Sequence, residues 1–357
     1  MDQTTNATNG APTMYSFSMQ EMVTLEDSIS YTFMSRDKRF IIEIAAERLG
    51  GEGSLVDEFY EFKDDIDDPD ILCDFETWAI GPIHERVKQL VPVPISSPTT
   101  LLEYYDPEIY VFELFNEGGI LKANELAFDP KIFGDASPKV AIIENAEGRL
   151  SSSHEVPRDV IVSRSALPTV PLVPASQLVR AAGLDSVEEV MCEIPRIVRK
   201  VNTTDEFFFK SGDKRHGFQR EVEILAKLQK ISEHDVSIRT SQIVGLVNWD
   251  GQESLLMGML LERIDWMTLH DAMLDASVAE RRRWMDQIDE TVERLHKYGI
   301  VWGDVKPDNV MIGPSGDAIL IDFGGGCTLE YVEMELQETK EGDLQGLKKL
   351  RSRLLSR

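Results

Sequence analysis

The sequence predicts an α+β protein in which a strand-rich layer precedes a helical layer, with a separate folded segment ahead of both. Three observations carry this. Between about residues 187 and 261, apolar strands surround one amphipathic helix. After residue 265 helical periodicity takes over, broken by one small hairpin. Before both, the stretch 151–175 gathers Ser151, Ser152 and Ser153 with Pro157, Pro168, Pro171 and Pro174, the composition of a connection between domains.

Residues 1–20 are rich in Thr, Asn, Gly, Pro and Gln and read as disordered. Residues 21–150 read as an accessory α+β domain whose role no motif reveals. Phe40 to Ile44 fits a strand or a helix. Pro82 to Leu90 fits a short amphipathic helix, with Ile83, Val87 and Leu90 on its apolar face and Pro82 where no backbone donor is needed. Tyr110 to Phe115 predicts a strand before the turn Asn116-Glu117-Gly118-Gly119. The acidic run from Asp64 to Asp70 lacks the glycine and the distal glutamate of a calcium loop, so it reads as a solvated loop.

The next two segments are the strand-rich lobe, 176–264, and the helical lobe, 265–357. Val187 to Val201 predicts one or two strands, and Glu206 to Lys210 a short aromatic one. His216 to Lys230 is a helix by the spacing of Phe218, Val222, Leu225 and Leu228. Ile243 to Trp249 and Leu255 to Leu261 are strands joined through Asp250-Gly251, a hairpin signal. Ser277 and Glu280 form a capping box ahead of a helix that presents Trp284, Ile288, Val292 and Leu295 on one face and stops near Gly299. Arg281, Arg282 and Arg283 read as its solvated face. Asn309 to Ile312 and Ala318 to Ile321 flank a turn. A last helix places Leu344, Leu347, Leu350 and Leu354 in a stripe. A cleft between the two lobes follows from this order.

Bulk properties exclude several classes. The 357 residues carry a formal net charge of −26, which disfavours nucleic acid as a partner, because phosphate binding needs a basic footprint. Composition is that of a globular protein, 42% hydrophobic and 28% charged. Cys73, Cys192 and Cys327 are scattered and odd in number, so neither a disulfide framework nor a zinc spacing is present. The N-terminus lacks the apolar core of a secretory signal, and no run reaches the roughly 18 apolar residues that span a bilayer. A reducing, cytoplasmic location without membrane contact is the expectation; oligomeric state is left open.

The chemistry concentrates in Gly303-Asp304-Val305-Lys306-Pro307-Asp308-Asn309 and in Asp322. Phosphoryl transfer needs phosphate charge neutralised, a metal held and an acceptor hydroxyl oriented. Asp304, in a loop after a helix, can orient a hydroxyl and take its proton. Asn309 offers a neutral oxygen suited to magnesium. Lys306 can reach a transferred phosphate. Asp322 ends an apolar strand ahead of Gly324, Gly325 and Gly326, a position from which a carboxylate can chelate a phosphate-bound metal.

The loop from Gly303 to Asn309 resembles the catalytic loop of eukaryotic-type protein kinases, and Asp322-Phe323-Gly324 resembles that family's magnesium-binding motif. The resemblance covers about residues 185–357 and implies a two-lobed protein-kinase-like fold with ATP and Mg2+ as cofactors. By it Asp304 is the catalytic base, Lys306 contacts the γ-phosphate, and Asn309 and Asp322 bind magnesium. It also implies that Lys210 on the aromatic strand pairs with Glu221 on the following helix, and that Leu261, Glu262 and Ile264 form a hinge that meets adenine, with Leu261 as gatekeeper. Asp343 resembles the aspartate that supports the catalytic loop.

Four departures narrow the resemblance. No glycine-rich motif precedes Lys210, where Gly183 is the only glycine for a long stretch. Trp302 and Gly303 stand where the family carries His-Arg, so the arginine that reads a phosphorylated activation loop is missing. Phe208 takes a position where the family has a small residue over adenine. Only 20 residues separate Asp322 from Asp343, and the peptide-docking region is absent. The abbreviated helical lobe resembles small atypical kinases of the RIO and KEOPS types, and Gly303-Asp304 resembles aminoglycoside and choline kinases. The acceptor implied is a protein Ser or Thr by motif, with a small-molecule hydroxyl as an alternative. A pseudokinase that binds or scaffolds without catalysis is the competing reading.

Overall fold

The computed structural model describes residues 18–35, 37–51, 53–91, 99–133, 140–143, 161–164, 167, 169–181, 196–212, 216–265 and 267–355. The chain divides into two compact units, 1–99 with 103–136 and 182–194, and 100–102 with 137–181 and 195–357. Residues 1–17, 151–160 and Cys192 lie outside the described residues, as does the first part of the strand expected from Val187.

The first unit is a five-stranded sheet in the order β1 (Ser18–Thr24), β2 (Ser28–Ser35), β3 (Lys38–Ala45), β4 (Glu108–Glu117), β5 (Ile120–Leu126). Phe40 to Ile44 is therefore strand. Alternation explains why: Ile29, Tyr31 and Phe33 sit opposite Ile44, Ile42 and Phe40, and all six are buried. β3 and β4 run parallel, which requires a crossover. Helices α1 (Leu55–Asp64), α2 (Pro69–Ile80) and α3 (His84–Leu90) lie between them in sequence. Their Phe59, Phe75, Ile83 and Val87 join the same core as the sheet. Burying a side chain such as Phe59 contributes about 1.5–3 kcal/mol. The acidic run does not form one solvated loop. Asp64 ends α1, and the Asp68 carboxylate accepts the Asp70 N–H at 2.9 Å, capping α2 with Pro69 in its first turn.

The second unit holds an eight-stranded sheet. Its centre is the antiparallel run β9 (Leu178–Arg180), β10 (Ile197–Lys200), β11 (Glu206–Ser211) and β13 (Gln252–Glu262), with β12 (Ile243–Trp249) pairing the other side of β13. Helix α4 (His216–Ser232) follows β11 and packs Phe218, Val222, Leu225 and Leu228 into the core.

Two boundaries read from the sequence are corrected here. β6 (Val140–Ile143) pairs with β13, so the accessory segment does not run to residue 150. The stretch 151–175 is no bare connection either. It supplies β7 (Ile161–Ser163), parallel to β6, and β8 (Leu172–Pro174), parallel to β12. Prolines concealed them: three-residue strands at a sheet margin tolerate proline, because the missing N–H need not enter the ladder.

The helical lobe comprises α5 (Leu269–Asp275), α6 (Val278–Lys297) and α7 (Lys340–Leu355) around a small sheet of β14 (Met267–Thr268), β15 (Val310–Ile312) and β16 (Ala318–Leu320). Ser277 and Glu280 make the reciprocal capping box of α6, and Gly299 takes φ 69° beyond its end. Arg281 is buried rather than solvated, while Arg282 and Arg283 are exposed. The stripe of α7 is displaced from the one expected. Leu344 is exposed, and Asp343, Gly346, Leu347, Leu350 and Leu354 are buried. Gly346 explains the shift: a Cβ there would lie 2.6 Å from the Val305 Cβ, so α7 is seated directly on the loop that holds Asp304. Among the described residues no helix is long and apolar enough to cross a membrane.

Candidate active site

Strand β11 alternates so that Phe208 and Lys210 share a face while Phe209 is buried on the other. Helix α4 brings Glu221 to that face. Lys210 Nζ lies 2.6 Å from Glu221 Oε2 and donates to Asp322 Oδ1 at 2.9 Å. One ammonium thus joins a sheet, a helix and the strand-end carboxylate. Burial pulls the Lys210 pKa down, but the two carboxylates outweigh it and hold the ammonium above the ordinary lysine value. Glu221 is 1% exposed; burial raises its carboxyl and Lys210 opposes the rise.

Asp304 is fixed by three side chains. Lys306 Nζ donates to Oδ2 at 2.6 Å, Asn309 Nδ2 donates to the same oxygen at 3.0 Å, and the Thr328 hydroxyl donates to Oδ1 at 2.8 Å. Asn309 Nδ2 also donates to the Asp304 carbonyl at 2.9 Å. With its nitrogen committed to Asp304, the amide presents its oxygen elsewhere. The Ile321 N–H donates to the Asn309 carbonyl at 3.0 Å, so β15 and β16 deliver Asn309 and Asp322 side by side. Asp322 has φ 59°, a left-handed conformation that aspartate tolerates better than most residues.

The backbone of the loop leading into Asp304 is held by a buried carboxylate. The buried Asp343 accepts the Trp302 and Gly303 N–H groups, each at 2.9 Å, and its Oδ2 lies 2.7 Å from His296 Nε2. Trp302, unusual as a sequence feature, is fully buried and donates its indole N–H to the Ile321 carbonyl at 3.0 Å.

The residues expected to form a hinge lie at the end of β13. Leu261 is buried opposite Phe208, and Glu262 and Ile264 follow toward β14. The Glu262 N–H is spent on the Gln242 carbonyl at 2.9 Å. A small cavity borders Glu262, Arg263 and Ile264 together with Thr240, Ser241 and Ile319, but neither Lys210 nor Asp304 lines it.

Two residues of this constellation carried no sequence signal that singled them out. Thr328 follows Cys327 in an irregular segment and reaches Asp304 only through the fold. Arg220, one position before Glu221, reads as an ordinary helix arginine, yet donates to the Val301 carbonyl at 2.9 Å, to the Trp302 carbonyl at 3.4 Å and to the Phe323 carbonyl.

The comparisons with known proteins point to the same segment. The family model described as the protein kinase domain matches residues 198–341. Over these residues the chain is similar to that domain and has a protein-kinase-like two-lobed fold. Its sheet-rich lobe with helix α4 and its helical lobe have that two-lobed arrangement. Serine/threonine-protein kinase pim-2 of Danio rerio is 35% identical over 104 residues, covering 26% of this chain and 33% of that protein. Serine/threonine-protein kinase PknD of Chlamydia muridarum is 33% identical over 57 residues, 16% of this chain and 6% of that protein. Smooth-muscle myosin light chain kinase of Gallus gallus is 39% identical over 85 residues, 22% of this chain and 4% of that protein. This chain therefore spans a third or less of the length of each of these relatives. Lys210, Glu221, Leu261, Glu262, Ile264, Asp304, Lys306, Asn309 and Asp322 all fall within the matched residues.

Proposed function

We propose that the chain is an ATP- and magnesium-dependent phosphotransferase that moves the γ-phosphate of ATP to a hydroxyl. The observation that carries this reading is the position of Lys210, within bonding distance of both Glu221 and Asp322. A lysine so held is charged, oriented and adjacent to the carboxylate best placed for a metal.

The donor set suits magnesium. Among the described residues no three His, Cys, Asp or Glu side chains gather into a metal cage. Magnesium does not require one: it keeps waters and takes one or two protein oxygens plus phosphates. Asn309 and Asp322 would supply those two oxygens, and Lys210 would pair with phosphate. When bound, the ion neutralises phosphate charge and polarises the transferred group.

The chain's own residues account for the rest. Asp304 holds a hydroxyl on Oδ1 already, that of Thr328, and that oxygen has a second lone pair for an acceptor hydroxyl. Lys306 and Asn309, both on Oδ2, fix the carboxylate so that Oδ1 faces the acceptor and receives its proton. Lys306 is then placed to neutralise charge on the group in transit. Leu261, Glu262 and Ile264 form the adenine wall; with the Glu262 N–H engaged, its carbonyl is the group left for the base.

We favour a protein serine or threonine as acceptor. Two of the relatives named above, pim-2 and PknD, are serine/threonine-protein kinases by name, and Lys306 beside Asp304 fits that class. A small-molecule hydroxyl, as in the atypical and aminoglycoside-type kinases, draws support only from the short span between Asp322 and Asp343. The free Cys73 and Cys327 fit a reducing, cytoplasmic setting.

Magnesium-ATP stabilises a protein that binds it by mass action. Wild-type protein should shift upward in thermal unfolding with millimolar magnesium-ATP, and Lys210→Met should not. Absence of a shift in wild type together with absence of ATP turnover contradicts the proposal. A shift without turnover points to the pseudokinase.

A further inference from the structure

We infer that Arg220 is a positioning residue that locks helix α4 onto the catalytic loop without any phosphate on the activation segment. The inference rests on the phosphotransferase reading for its kinetic consequence, though its structural content stands apart from it.

Three backbone carbonyls converge on one guanidinium. Nη2 donates to Val301 at 2.9 Å; Nη1 donates to Trp302 at 3.4 Å and to Phe323. Val301 and Trp302 lead into Asp304, and Phe323 follows Asp322. Arg220 itself precedes Glu221, which pairs with Lys210 at 2.6 Å. A single side chain from α4 therefore ties the lysine–glutamate pair, the loop of the candidate base and the segment of the candidate metal ligand into one geometry. A planar fork with several fixed donors suits this; an ammonium on a flexible stem cannot span all three.

The surroundings are shaped for the guanidinium. Gly303 has φ 98°, and a Cβ there would lie 3.0 Å from Arg220 Nη2 and 3.4 Å from Cζ. Any side chain at 303 would thus push against the latch, in a conformation only glycine enters freely. Glu338, itself at φ 54°, places Oε2 3.8 Å from Arg220 Nε. The positive charge of Arg220 is thereby matched from the far end of the activation segment by a carboxylate already in the chain. Glu338 and the three carbonyls occupy the guanidinium, so no phosphorylated side chain is needed to recruit it. Gly303 stands where an arginine that reads such a phosphate is expected, and Arg220 approaches the same loop from the opposite lobe.

The test uses the full chain, wild type and Arg220→Lys, with two readouts. In amide hydrogen exchange, residues 301–304 and 322–324 of Arg220→Lys should exchange faster while α6 keeps its protection. In steady-state kinetics, kcat should fall about tenfold or more with KM for ATP within about threefold, since Arg220 does not touch Lys210. Phosphatase-treated wild type should keep its turnover within about twofold of untreated protein. Lys227→Ala, which removes an exposed α4 tether to the Tyr298 carbonyl, should behave as wild type. Unchanged exchange at 301–304 and 322–324 overturns the latch, as does faster exchange spread equally over α6. A tenfold loss of turnover on phosphatase treatment overturns its independence from phosphate. If wild type has no turnover but exchange rises locally in Arg220→Lys, the latch stands and the phosphotransferase reading falls.

Discussion

The carboxylate of Asp343 accepts the backbone N–H of Gly303 at 2.9 Å, and both residues are buried. This bond joins helix α7 to the loop that carries Asp304. Asp343→Ala would strip the Trp302 and Gly303 amides of their acceptor, and a buried donor left unpaired costs about 1–3 kcal/mol. Urea denaturation should show a loss of about that size or larger, and amide exchange at Trp302 and Gly303 should rise by more than the global change explains. Loss of stability without that local excess would mean that Asp343 supports α7 and not the loop.

Thr328 tests the acceptor chemistry at Asp304. Thr328→Val keeps the shape and removes the hydroxyl on Oδ1. A hydrogen bond to a charged group contributes about 1.5–3 kcal/mol, so kcat should drop roughly 10- to 100-fold, with KM for ATP unchanged. Thr328→Ser should restore most of it. Equal activity in Thr328→Val would show that the carboxylate needs no third partner.

The Lys210–Glu221 pair makes a signed prediction about pH. The folded pKa of Lys210 stands above the ordinary 10.5, because Glu221 and Asp322 outweigh its burial. A lysine raised in this way contributes stability that is fully present below its unfolded pKa and is lost as pH rises through the folded value. Compared with a Lys210→Met, Glu221→Gln double variant, wild type should hold a constant advantage in urea midpoint across neutral pH. That advantage should shrink above pH 10.5. An advantage that grows with alkaline pH would reverse the sign and contradict the pairing.

Ser277 separates stability from function. Its hydroxyl accepts the Glu280 N–H at 3.3 Å, and the Glu280 carboxylate accepts the Ser277 N–H at 2.8 Å. Ser277→Ala should cost about 1 kcal/mol in chemical denaturation and leave turnover unchanged, because the N-cap lies at the far end of α6 from Asp343 and His296.

Local signals were legible wherever one physical cause dominated. The capping box, the hairpin through Asp250-Gly251 and the strand from Tyr110 to Phe115 each follow from local pattern alone. The residues that compose the candidate site could be named, since Asp304, Lys306, Asn309 and Asp322 cluster in sequence. Features decided by tertiary approach were not legible. β7 and β8 are too short and too close to prolines to show a period. Leu344 fits a helical stripe as well as Leu347 does; only the contact of Gly346 with Val305 turns it outward. Arg220 and Thr328 belong to the site through partners between 24 and 103 residues away, and no local pattern encodes such distances.

The proposed transfer of a phosphate to a hydroxyl turns on Asp304. The most direct measurement follows the label of γ-labelled ATP in the presence of magnesium, comparing wild type with Asp304→Ala at equal folded concentration. With wild type, label should appear on a serine or threonine hydroxyl, of the chain itself or of an added protein acceptor, and it should fall by at least about a hundredfold in Asp304→Ala. Equal labelling by both proteins, or none by a wild type that binds nucleotide, would contradict it.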